Sequence, residues 1–126
     1  MVARSSTTSP PAPAPRSRYA FLTLPNYSMI ALTNAIEPLR MANRVSGQTA
    51  YEWVVASLDG TPTAASNGMM LTPTTRLAEV GAVDLVFVVG GVNVREAVSP
   101  ALTTALRRLA AQRLLVHGGM VLRRVV

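Results

Sequence analysis

Gly90 and Gly91 are the residues best placed to do chemistry. Residues 84–91 read Asp-Leu-Val-Phe-Val-Val-Gly-Gly, a short β-branched apolar run without polar alternation, which predicts a strand buried on both faces in the middle of a parallel sheet. In open α/β sheets, ligands bind in the crevice beyond the carboxyl ends of the strands, and a glycine pair there brings backbone N–H groups close to a ligand. The expected chemistry is recognition of an anionic or carbonyl-bearing small molecule. Its donors would come from the pair and from the amino-terminal end of the helix after the first strand. Gly90, Gly91, the adjoining Val92, and Asn26 at the end of the first strand are the candidate ligand-binding residues. On spacing alone, the pair serves equally well to turn the chain into residues 92–98.

Covalent and metal chemistry have little to work with. The absence of cysteine rules out disulfides, thiolate metal sites and a thiol nucleophile, and fits a reducing, cytoplasmic setting. His117 is the single histidine and reads as a surface or packing residue. Glu37 and Arg40 read as a solvated i,i+3 contact, and Met69 and Met70 as packing residues. No catalytic residue, metal ligand or cofactor is expected.

The elements that must position the glycine pair follow from spacing. Residues 19–24 (Tyr-Ala-Phe-Leu-Thr-Leu) form a first strand, stopped by Pro25-Asn26. Ser28 is a suitable N-cap. Leu32, Ala35, Ile36, Leu39 and Ala42 then recur opposite Thr33, Glu37, Arg40 and Arg44, predicting a helix over 28–44. Pro38 removes one hydrogen bond from that helix, so a kink or tightened turn is expected near Asn34. Residues 51–58 read as a second strand ended by Asp59-Gly60 and Pro62. Ser66-Asn67-Gly68 marks a hairpin joining 63–65 to 69–71, because Asn-Gly accepts positive φ angles. After the strand at 84–89, Ser99-Pro100 starts a helix whose buried stripe is Leu102, Ala105, Leu106 and Leu109, ending near Ala111. This order predicts an α/β fold with a mostly parallel sheet and flanking helices.

A chain of 126 residues with 49% hydrophobic content holds one small domain and can bury a core. No apolar run approaches a membrane span, and residues 1–18 lack the apolar centre of a secretory signal. They read as a disordered leader. The net charge of +6 is carried by the ends, since residues 19–106 hold four arginines against six acids. The folded body therefore offers no basic patch to nucleic acid.

Five motifs in order carry a resemblance: Phe-Leu-Thr-Leu-Pro-Asn-Tyr-Ser (21–28), Glu-Pro-Leu-Arg-Met-Ala-Asn-Arg (37–44), Ser-Leu-Asp-Gly-Thr-Pro (57–62), Ala-Ser-Asn-Gly (65–68) and Val-Val-Gly-Gly (88–91). Together they resemble the N-terminal domain of GlxA-type regulators of the AraC/XylS family, over about residues 19–112. The resemblance implies a flavodoxin-like, class I glutamine amidotransferase-like (ThiJ/PfpI) fold, incomplete at its C-terminus. It also implies a small-molecule effector, a nitrogen-containing metabolite being the class suggested, with a homodimer open. DNA would be reached only through a C-terminal helix-turn-helix domain. Enzymes of that superfamily place a carboxylate early in the first helix, where Ala31 stands here, facing a cysteine that this chain does not have. A stand-alone hydrolase or hydratase and a remnant serving only dimerisation are the alternative readings.

After Gln112 the resemblance implies a further strand and a nucleophile elbow, whereas residues 113–126 diverge. A one-nucleotide shift across residues 116–121 permits Ser-Thr-Gly-Ala-Trp, which is such an elbow. We therefore expect a frameshifted tail on a shortened regulator that lacks its helix-turn-helix domain. The nucleotide sequence checks this: the neighbouring frame should encode the elbow and a downstream helix-turn-helix, and a frame without them refutes it.

Overall fold

Alternation along the strands builds two cores, one on each face of a single sheet. The computed structural model describes residues 17–111. His117, the elbow and the expected tail lie outside the described residues, as do residues 1–16 of the expected leader. Strand β1 (Ser17–Thr23) sends Ala20 and Leu22 to one face and Phe21 to the other, the period-2 alternation of a pleated strand. Strand β6 (Leu85–Val89) does the same with Val86 and Val88 against Val89. Between them in sequence come α1 (Met29–Ser46), β2 (Tyr51–Ser57), β3 (Thr63–Ala64), β4 (Met70–Leu71) and β5 (Thr75–Arg76). A 3-10 turn at Leu77–Glu79 follows β5, and α2 (Val94–Ala97) and α3 (Pro100–Ala111) follow β6.

The sheet order is β5-β2-β1-β6, with every pair parallel, so the expected mostly parallel α/β fold is what forms. One core holds Leu22, Leu24, Ala56, Leu77, Val86 and Val88 against Leu102 and Leu109 of α3. The other holds Phe21, Tyr27, Leu32 and Val89 against the inner face of α1. Each fully buried Leu or Phe in these layers contributes about 1.5–3 kcal/mol. Phe21 and Phe87 stack across β1 and β6 with centroids 5.1 Å apart.

Both long helices start as their sequences require. The Ser28 hydroxyl accepts the Ala31 N–H at 3.2 Å, and the Ser99 hydroxyl accepts the Leu102 N–H at 3.1 Å, satisfying donors that a helix start leaves free. Gly47 ends α1 in the left-handed region at φ 72°. Asn43 then ties the end of α1 to the start of β2, donating to the Tyr51 carbonyl at 2.9 Å and accepting its N–H at 3.0 Å. Glu37 and Arg40 meet on the exposed face at 2.7 Å, and each shifts the other toward its charged form through the shared hydrogen bond.

Several expectations are corrected. β1 begins two residues earlier than read, because Arg18 is locked into the sheet. Its backbone N–H donates to Asp84 Oδ2 at 2.7 Å, and its guanidinium donates to the Val80 and Ala82 carbonyls at 2.8 and 2.9 Å. The hairpin forms, but only Gly68 takes positive φ (90°), and Asn67 does not. Gly68 N–H bonds the Ala65 carbonyl and Ala65 N–H bonds the Met69 carbonyl, which is a three-residue loop closed by a glycine bulge. Met69 and Met70 are exposed, at 59% and 62%, instead of packed. Their two-stranded hairpin pairs with itself and not with the main sheet, and it turns Ala65 and Leu71 inward.

Helix α1 is unbroken from Met29 to Ser46 with Pro38 inside it, so the helix continues through the turn at Asn34 where a kink was expected. Pro38 is exposed and cannot donate to the Asn34 carbonyl, while alanine could. Pro38→Ala should therefore raise stability by about 1–3 kcal/mol, read as a higher urea midpoint with an unchanged slope. A lower midpoint would show that the proline ring contributes packing that outweighs the lost bond.

Candidate functional site

The loop between β1 and α1 is where the glycine pair and the first strand meet. Leu24 N–H bonds the Val89 carbonyl at 3.0 Å and Ser28 N–H bonds the Gly90 carbonyl at 2.9 Å. Asn26 N–H bonds Ala64 O and Ser66 N–H bonds Tyr27 O, both at 2.8 Å. Tyr27 thus bridges Ala65 of the hairpin on one side and Gly91 on the other. A β-carbon on Gly91 would stand 2.9 Å from the Ser28 nitrogen and 3.0 Å from the Tyr27 carbonyl carbon. Only glycine fits there. Tyr27 itself is fully buried, its hydroxyl has no partner among the described residues, and burial raises its pKa.

A cleft of about 680 Å³ opens beside this junction at the carboxyl edge of the sheet. Thr23, Leu24, Pro25 and Asn26 line it from the end of β1, and Ser57, Leu58 and Asp59 from the end of β2. Thr61 to Ala64 and Met70 contribute from the hairpin side. Asn93, Glu96, Ala97, Ser99 and Leu102 come from the segment after β6. The chain leaves β1 toward β2 on one side and returns to pair β6 on the other, so the cleft sits at the point where strand order reverses, the usual ligand position in open α/β sheets.

Of the four candidate residues, Asn26 lines the cleft. Gly90, Gly91 and Val92 do not. The Gly90 carbonyl accepts the Ser28 N–H, Gly91 packs closely on the backbone of residues 26–28, and Val92 is 58% exposed outside the lining. In the first turn of α1 the Ser28 hydroxyl takes the Ala31 N–H. Sequence reading missed Asp59, Asn93 and Glu96, although Asp59-Gly60 directly follows β2 at the same edge and was a usable signal. Asn26 and Asn93, on either side of the cleft, adopt positive φ of 64° and 58°, a region that asparagine tolerates better than most side chains.

Asp59 organises the β2 end of the cleft. Its Oδ1 accepts the Thr61 hydroxyl at 2.7 Å and the Thr61 N–H at 3.1 Å, and these bonds hold its pKa below the usual carboxylate value. Ser57 closes the turn by donating to the Thr61 carbonyl at 2.8 Å. Ala31, where the resemblance expects an acid, is half-buried in the α1 core and offers no ionisable group. Among the described residues no group of three or more His, Cys, Asp or Glu could hold a metal.

Gly91→Ala should push the 26–28 loop away from β6 and destabilise the fold by about 1–3 kcal/mol, with amide shifts centred on Asn26, Tyr27 and Ser28. A wild-type denaturation midpoint would mean that the close approach carries no constraint.

No family model matches the sequence. The HTH-type transcriptional regulator GbdR of Pseudomonas aeruginosa is 41% identical over 110 residues, which cover 84% of this chain and 30% of that protein. Among solved structures, an AraC family transcriptional regulator from Pseudomonas putida superposes with a TM-score of 0.69 at 28% identity, over 79% of this chain and 62% of that one. A ThiJ/PfpI family protein from Pseudomonas syringae shares the fold at a TM-score of 0.57 and 14% identity, over 84% of this chain and 43% of that one. The chain therefore spans about a third of the curated regulator it matches; its sequence is similar to part of a transcriptional regulator, and its fold is that shared by the AraC family regulator and the ThiJ/PfpI family protein.

Proposed function

We propose that this chain is the effector-sensing part of a bacterial transcriptional regulator, that its cleft at the carboxyl edge holds a small molecule, and that it is not a catalyst. The carrying observation is the cleft itself, whose volume of about 680 Å³ suits a small metabolite. Hydroxyls are present at Thr23, Ser57, Thr61 and Ser99, but among the described residues no histidine, lysine or cysteine lines the cleft to activate one. A nitrogen-containing effector is the class we assign. Asn26 would contact it, and Gly91 would act as a positioning residue that fixes the loop bearing Asn26. Among the described residues no helix is long and apolar enough to cross a membrane, which supports a cytoplasmic setting.

Helix α3 supports the absence of DNA reading by residues 17–111. Leu102 and Leu109 are buried against the sheet, while Arg107 and Arg108 are exposed. Its apolar face is committed to the core, so it cannot enter a major groove as a recognition helix. In filter binding, the 126-residue chain should hold DNA weakly, with affinity falling steeply with salt and no preference for a promoter fragment over scrambled DNA. It should also show no turnover of amide substrates. Sequence-selective retention at physiological salt would refute the DNA assignment, and turnover would refute the non-catalytic one.

A further inference from the structure

The amino edge of the sheet carries a second cavity, of about 450 Å³, at the start of β2. Tyr51, Glu52 and Trp53 line it, with Asn43 from the last turns of α1 and Thr49 from the connection between them. Tyr51 and Trp53 lie two residues apart and so share one face of the strand. Tyr19 of β1 sits beside them, paired in register with Trp53 and stacked on Tyr51 with ring centroids 6.2 Å apart. On the other side of β2, β5 reaches only Ala56 and Ser57, so among the described residues no strand covers the outer side of residues 51–54. Asn43 covers part of it, bonding both the N–H and the carbonyl of Tyr51. What stays accessible is aromatic, since Tyr51 and Trp53 are only half-buried.

We propose that this cavity docks the chain's own proline-rich segment, residues 9–16 (Ser-Pro-Pro-Ala-Pro-Ala-Pro-Arg), as a polyproline II helix. The segment is tethered at the right place. Ser17 pairs with Tyr51 and its N–H bonds the Ala50 carbonyl at 3.1 Å, which puts the tether about one strand spacing, ~4.8 Å, from the cavity wall. As polyproline II the segment spans about 25 Å, ample to cover the aromatic pair. The chemistry fits as well, because proline rings pack between aromatic side chains, while a Tyr hydroxyl and a Trp N–H donate to the carbonyls that a polyproline II backbone leaves free. Pro10, Pro11, Pro13 and Pro15 lack the N–H that joining the sheet as a strand requires, so docking through side chains is the mode open to them. Charge is complementary too. Residues 1–16 carry Arg4 and Arg16 and no acid, whereas the amino edge presents Glu52 and Asp84, and the Arg18 guanidinium beside them is engaged by the Val80 and Ala82 carbonyls.

Tethering makes a weak contact sufficient, since a short linker gives a millimolar effective concentration and a millimolar affinity then keeps about half of the molecules docked. The cavity lies at the edge opposite the cleft, so docking there is independent of any effector. Trp53 is the single tryptophan, and its fluorescence therefore reports on the cavity directly. The 126-residue chain is compared with a variant carrying Pro11→Ser, Pro13→Ser and Pro15→Ser, which removes the rings and leaves the charge unaltered. Acrylamide should quench Trp53 roughly twofold more strongly in the variant. Its amide NMR shifts should change at residues 51–53 and stay in place at Asp59 and Asn93, which marks an intact fold. A synthetic peptide of residues 9–16 should then move the 51–53 amides of the variant, and move those of the wild type, whose cavity is already filled, much less.

Equal quenching and equal 51–53 shifts in the two proteins would overturn the docking. So would a peptide that moves both proteins alike, because the wild-type cavity would then be open, or one whose shifts in the variant lie away from residues 51–53. Insertion into a second copy instead would show as wild-type quenching that strengthens on dilution, and would overturn the assignment to the chain's own segment.

Discussion

Everything at the carboxyl edge depends on the backbone contact between the 24–28 loop and the end of β6. Four hydrogen bonds of 2.8–3.0 Å tie that loop to Val89, Gly90, Ala64 and Ser66, and the contact is close enough that Gly91 has no room for a β-carbon. Net hydrogen-bond gains of about 1 kcal/mol each are modest. Their effect here is geometric, because they join the first strand, the last strand and the hairpin through one short segment. Tyr27 at the centre of that segment is wholly buried, so the junction is also a piece of the α1-side core. An apolar anchor and a polar seam thus fix the same five residues.

The cleft inherits its shape from that junction and from a second, independent turn. Asp59, Thr61 and Ser57 close the end of β2 among themselves, with Gly60 at φ 86° supplying the left-handed step. The two turns face the same opening, one presenting an amide and the other a carboxylate. Rigid backbone behind a few unpaired oxygens suits a binding surface that recognises without being reshaped. The crevice is a property of the strand order, so a fold of this kind offers it whatever function its lining serves.

Much of the scaffold was legible because its signals are local. Ser28 and Ser99 cap their helices as their positions imply, the 85–89 run is a buried strand, and Leu102 and Leu109 face the sheet. The short β5 strand and the 3-10 turn after it left no trace of periodicity, and their place is set by pairing with β2 and by Leu77 entering the core. The residues lining the cleft were the least legible part. The glycine pair lies at the predicted edge, but what it can offer depends on what packs against it, and here that is the backbone of residues 26–28. Asp59 and Glu96, 37 positions apart, meet at one cleft only through the parallel topology, which no local spacing encodes.

The order β5-β2-β1-β6 has a further consequence, which concerns time. Among the described strands, the one made first is interior to the sheet and its second neighbour is made last: Tyr19 pairs with Leu85, 66 positions later. At about 5–20 residues per second, roughly 3–13 s separate their synthesis. Throughout that interval β1 has only β2 to pair with, and Leu22 lacks the α3 layer that finally covers it. Nascent chains are most exposed to aggregation through such half-paired strands. Substitutions in 85–89 will thus lower the yield of folded protein by prolonging this state, even where the finished sheet tolerates them.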